Sequence, residues 1–147
     1  MEEYLTLKRI KNENSYTDLY DNPTELTDAE LAWFNGIVNR FHRLPEASNI
    51  KITNCNHEEL DKKQQEAYGI YWKPRDTTSD LRPYITIDNF FIHEMYETTF
   101  HDAYNLTGET LESCIAHEIA HHYQFRHCKR HTRITKEILK KYNSLPE

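Results

Sequence analysis

The segment from Thr107 to Phe125 constrains the fold of this chain most. Thr107-Gly108-Glu109 reads as a helix start, with Glu109 and Glu112 placed where the helix dipole favours acids. Leu111, Ile115 and Ile119 then recur at i, i+4 and i+8, which predicts a core-packed helix through about Phe125. Within it stands His117-Glu118-Ile119-Ala120-His121, an HExxH pattern. At about 100° per residue the two histidines lie about 40° apart and one turn along, so both imidazoles can reach one ion. The apolar stripe occupies a different face, so packing can hold the helix while the histidines look into a cleft.

The rest of the chain predicts an α+β domain built around that helix. Thr27-Asp28-Ala29-Glu30 is a capping box, followed by Leu31, Phe34, Val38 and Phe41 at helical spacing, with Pro45 closing the element. Ile50 to Thr53 alternates like a short strand. His57 to Tyr68 reads as a polar helix ended by Gly69, and Ile70-Tyr71-Trp72 as an aromatic strand. Lys73 to Arg82 is a loop. Tyr84 to Asp88 is a strand, and Pro83 at its start points to a sheet edge. Residues 89–106 fit neither period, and His93, His101 and Asp102 there read as surface groups. A last helix covers about 130–143, with Ile134, Ile138 and Tyr142 on one stripe. Residues 1–22 are polar and weakly patterned, which suits an arm packed across the domain.

Composition narrows the class. A chain of 147 residues fits one domain. Its 12% aromatic content argues against wholesale disorder, and no apolar run nears the ~20 residues of a membrane helix. The acidic start, Met1-Glu2-Glu3, is unlike a signal peptide, and three cysteines (Cys55, Cys114, Cys128) are an odd count. The expectation is a cytoplasmic protein with free thiols. Net charge is −6, yet residues 126–141 carry seven basic side chains and only one acid, Glu137. That segment reads first as the solvated face of a helix, and second as a surface for nucleic acid or an acidic partner.

The chemistry expected of HExxH is specific. His117 and His121 would ligate Zn²⁺, and Glu118 would take a proton from a water held by the ion. A catalytic zinc site needs a third protein ligand and an open position. His127 and His131 are the leading candidates, with Glu137 behind them. His131 falls on the apolar stripe of the last helix, whereas His127 lies in the connection before it. A straight helix would carry residue 127 about 9 Å past His121 and onto another face, so the helix must break near Gln124–Arg126. Cys128 as a fourth ligand would instead close the site into a structural one.

The run His117-Glu118-Ile119-Ala120-His121-His122-Tyr123-Gln124 resembles the active-site helix of SprT-like zinc metallopeptidases, which are zincins. Those proteins follow HExxH with a third histidine in a segment like H-G-x-x-F, leading into a basic helix. His127-Cys128-Lys129-Arg130-His131 matches it, with Cys128 where Gly is usual and His131 where an aromatic is usual. The resemblance implies a zincin-like domain, Zn²⁺ held by His117, His121 and His127, and Glu118 as general base. It also implies a peptide substrate bound along an edge strand at Tyr84–Asp88, and Gly69-Ile70-Tyr71-Trp72 resembles the family's preceding strand. DNA-linked relatives in that family suit the basic 126–141 segment. The spacing of the three histidines also matches metzincins, but Gln124 replaces their turn glycine, and neither Met1 nor Met95 suits a Met-turn.

Overall fold

The structure, a computed structural model, describes residues 25–57, 67–72, 83–105 and 107–146. The expected arm at 1–22, most of the expected helix between His57 and Tyr68, and the whole of the loop at 73–82 lie outside the described residues. In chain order the elements are α1 (Asp28–Phe41), β1 (Lys51–Cys55), β2 (Gly69–Trp72), β3 (Tyr84–Asp88), α2 (Asn89–His101), α3 (Leu111–Tyr123) and α4 (Lys129–Ser144). Among the described residues this is an α+β arrangement of four helices and one three-stranded mixed sheet. No helix among the described residues is long and apolar enough to cross a membrane.

Strand order is β1-β3-β2, with β1 parallel and β2 antiparallel to β3. The expectation of an edge strand at Tyr84–Asp88 is therefore wrong: β3 is central and both its edges are taken. Proline is tolerated at a sheet edge or at the first residue of a strand, and Pro83 illustrates the second case. It precedes β3, and its carbonyl accepts the Lys51 N–H at 3.1 Å. β3 is buried on both faces from Ile85 onward. Its Ile87 packs against β2 and α3, while Thr86 looks the other way.

On that second face lies His57, which the sequence placed at the start of a polar helix and which is fully buried. Its Nδ1–H donates to the Ala67 carbonyl at 2.8 Å, and its Nε2 accepts from Thr86 Oγ1 at 3.0 Å. Thr86 Oγ1 in turn accepts the Trp72 indole N–H at 2.9 Å. Burial holds the His57 pKa below its ordinary value, so the neutral ring pins the start of β2 to β3.

Residues 89–101, ambiguous by period, form α2. It follows β3 without a break, and its apolar residues Phe90, Phe91, Ile92 and Met95 are too crowded at its start to show a clean stripe. α3 is enclosed for most of its length: Leu111, Cys114, Ile115, Ala116, Ile119 and Ala120 are all buried. Its N-terminus is a capping box of Thr110 and Ser113, three residues later than the expected start at Thr107. α4 buries His131, Ile138 and Tyr142. The C-terminal turn of α4 is clamped by Arg40 of α1, which donates to the Tyr142 and Leu145 carbonyls at 2.9 and 2.7 Å. This side chain satisfies carbonyls that a helix end leaves open.

Candidate metal centre

α3 carries His117 and His121 on one side, and the chain must then turn back for a third ligand. Gln124 makes the turn with φ −147° and ψ 102°, an extended conformation, while its N–H still closes the last helical bond to Ala120 at 2.8 Å. The helix thus breaks where the spacing required it, without a glycine. Phe125 and Arg126 lead the chain round, and His127 returns over the end of α3.

His127 Nε2 lies 3.1 Å from His117 Nε2 and 3.0 Å from His121 Nε2. One ring nitrogen cannot satisfy two others by hydrogen bonding when all three rings are neutral. A tetrahedral ion with Zn–N distances of about 2.05 Å would space its nitrogens about 3.3 Å apart. The observed spacing is within a few tenths of an ångström of that value, so the donor set fits a zinc-sized cation. His121 Nδ1–H donates to the Gln124 carbonyl at 3.3 Å, which leaves its Nε2 lone pair facing the cluster.

Protonation states agree with this. Burial first, and then the neighbouring His131, His121 and His127, push the His117 pKa down to about 4. Burial and the same crowding lower that of His121. Neutral imidazoles with free lone pairs are what metal ligation needs.

His131, the alternative third ligand, is buried at 3% exposure, and its Nε2–H donates to the His117 carbonyl at 3.0 Å. Its ring packs 4.4 Å from that of His117 and 4.1 Å from that of His121, centroid to centroid. A ligand-type atom of His131 falls within 4.8 Å of those of His117 and His121. The shorter contacts belong to His127, and His131 does the packing its place on the apolar stripe suggested. Cys128 is exposed and starts α4 without a side-chain cap. Glu137 lies exposed on α4.

Glu118 is buried to 7% exposure beside these histidines. Burial pushes its pKa up to about 8, against a backbone hydrogen bond from Tyr71 that favours the charged form. That bond ties the general-base candidate to β2. Contact there is close: a Cβ on Gly69 would meet Cys114 Sγ, Glu118 Cγ and Ile87 Cδ1, each at 3.0 Å. Gly69 and Tyr71 are thus site residues that sequence reasoning placed only in a strand. Nothing in their spacing says that the strand would fall against Glu118.

The histidines and Glu118 open into a cleft of about 710 Å³ between β2 and α3, within the size range of ligand sites. Tyr71 lines it, and the Tyr71 hydroxyl donates to His122 Nδ1 at 2.8 Å. Of the basic segment, Lys129, Arg133, Lys136 and Lys140 follow one stripe of α4 and are all exposed, while Lys141 pairs with Glu46. A second group of ligand-type atoms, Glu30, His93 and Glu97, bridges α1 and α2. Glu30 already serves as acceptor for Thr27 N–H and for His93, and Glu97 for His101. His101 and Asp102 are exposed, as the surface reading expected, while His93 is half-buried and hydrogen-bonded to Glu30. Searches against protein-family models, curated proteins and solved structures give no match.

Proposed function

We propose that this chain is a zinc-dependent hydrolase of peptide bonds, with a zincin-like site of SprT-like type. The observation that carries the reading is the convergence of His117, His121 and His127 Nε2 at about 3 Å, with a buried carboxylate next to them. Bound there, Zn²⁺ would supply Lewis acidity, polarising a carbonyl and acidifying a water.

The remaining work falls to side chains of this chain. Glu118, whose pKa burial raises, is suited to take a proton from the attacking water and return it to the departing amine nitrogen as the C–N bond breaks. The Tyr71 N–H orients that carboxylate. An extended substrate would lie along β2, because β3 has no free edge. Asp88 N–H donates to the Tyr68 carbonyl, so Tyr68, Ile70 and Trp72 turn their main-chain groups toward β3. Gly69 and Tyr71 turn theirs outward, on the side of the cleft.

Metal analysis of untagged protein and a peptide-cleavage assay test the reading together. Wild type should retain about one zinc and cleave, and Glu118→Gln should keep the zinc and lose cleavage. A Glu118→Gln protein that cleaves as fast as wild type removes Glu118 from the mechanism. The basic stripe of α4 favours a second reading, a non-catalytic zinc-binding module that associates with DNA. Under that reading purified protein binds duplex DNA with steep salt dependence and cleaves no peptide.

A further inference from the structure

We propose that the site takes acidic peptides, with Lys136 of α4 binding a substrate carboxylate beside the scissile bond. The inference rests on the metal-centre reading above and deepens it. A second cavity, of about 440 Å³, opens on the α4 side of the histidines, and His117 and His127 line it as they line the first cleft. None of its described lining residues belongs to β2. A substrate held at the metal centre therefore has room on this side too.

The α4 wall of this cavity includes His131, Thr132, Thr135 and Lys136. Three of these spend their hydrogens on backbone carbonyls: His131 Nε2–H on His117 at 3.0 Å, Thr132 Oγ1–H on Cys128 at 3.3 Å, and Thr135 Oγ1–H on His131 at 2.9 Å. The exposed Lys136 ammonium has no ion-pair partner among the described residues, and no acid stands among the described residues lining the cavity. Lys136 lies about 7.5 Å along α4 from His131, whose ring packs on those of His117 and His121. Helix side chains lean toward the N-terminus, which directs the lysine back toward the histidines. A carboxylate on a residue next to the scissile bond falls within its reach. Lys129, Arg133 and Lys140 continue the stripe, also exposed and without ion-pair partners among the described residues, so the field there favours an anion. Duplex DNA is the other polyanion that suits such a stripe. The cavity favours the peptide, because a recess walled by the metal donors admits a single side chain, whereas a duplex presents its phosphates on a broad convex surface. The rest of the chain also carries an excess of acids, which repels a long polyanion more than one carboxylate.

The test measures binding of short peptide hydroxamates, which anchor at zinc, to the zinc-loaded wild-type chain at low salt. Two series carry one varied residue, Glu, Gln or Lys, on either side of the zinc-binding group. In one series the Glu compound should bind at least about fivefold tighter than Gln, and Lys weaker than both. Lys136→Gln is a surface change; it should bring the Glu compound to within about twofold of Gln with zinc content unchanged. Lys136→Arg should keep the preference, and Lys136→Glu should transfer it to the Lys compound. Equal affinities for Glu and Gln in both series, or a preference that survives Lys136→Gln, overturn the subsite and leave the metal centre standing. A short DNA duplex that displaces the Glu compound at equal concentration assigns the lysine to nucleic acid and overturns the peptide subsite. Absence of both retained zinc and hydroxamate binding overturns the metal centre and the subsite with it.

Discussion

Replacing Glu118 by Gln in metal-free protein should reverse part of the pH dependence of folding. The folded carboxyl titrates at about 8 against an ordinary 4.5, so between those values the native state holds a proton the unfolded chain has released. Native protein then binds more protons, and stability must fall as pH rises through that window. Integrating the two titrations gives a loss of about 2–3 kcal/mol between pH 5 and pH 7 from this one group. A typical domain has only about 5–15 kcal/mol in total, so the effect is readable. Histidines act oppositely. With its pKa lowered from 6.5 to about 4, His117 contributes stability that is lost as pH falls through that range. Wild type and Glu118→Gln share that contribution, so their difference isolates the carboxyl. Urea unfolding in a chelator at pH 5, 6, 7 and 8 should show the variant gaining about 2–3 kcal/mol on wild type from pH 5 to pH 7. A difference that stays constant across this range refutes the burial argument for Glu118.

Four further outcomes follow from the same geometry. His127→Ala should abolish stoichiometric zinc retention on gel filtration. His131→Ala should keep measurable zinc but cost about 1–3 kcal/mol in denaturant unfolding, because the His117 carbonyl loses a buried donor. Gly69→Ala should cost about 1–3 kcal/mol and slow peptide cleavage, since its methyl must displace Cys114, Glu118 or Ile87; unchanged kcat/KM and stability would show that β2 yields freely. Arg40→Met should expose the last turn of α4 to faster amide exchange while leaving α3 protected, and uniform exchange would deny the clamp its role.

How much of this could be seen in the sequence depends on the distance over which each feature is decided. The capping box at Thr27 and Glu30 is a contact between neighbours three apart, and it forms as read. The break after α3 followed from arithmetic on helical rise, because three histidines cannot meet on a straight helix. The place of β3 was not legible, since Pro83 satisfies two rules and the sheet order that separates them involves strands dozens of residues apart. α2 was hidden for a different reason. It is apolar on most sides near its start and polar beyond, so no single period describes it. His57 shows the limit most sharply. Its neighbours in sequence are polar, and only Thr86 and Ala67, brought in by the sheet, make its burial tolerable.

The site residues divide along the same line. His117, Glu118, His121 and His127 announce themselves because a metal-ligand pattern is a statement about side-chain type and local spacing. Gly69 and Tyr71 act through what any residue has, a backbone N–H, or through what glycine lacks, a Cβ. Such contributions leave no mark on composition or period, yet they decide where Glu118 points. Were β2 to move outward by the width of a methyl group, the carboxyl would lose its one backbone donor, and its remaining environment would favour the protonated acid still more strongly. On the proposed hydrolase reading, the strand beside this HExxH helix sets its rate: the same five residues against a strand with alanine at position 69 should bind metal as well and hydrolyse more slowly.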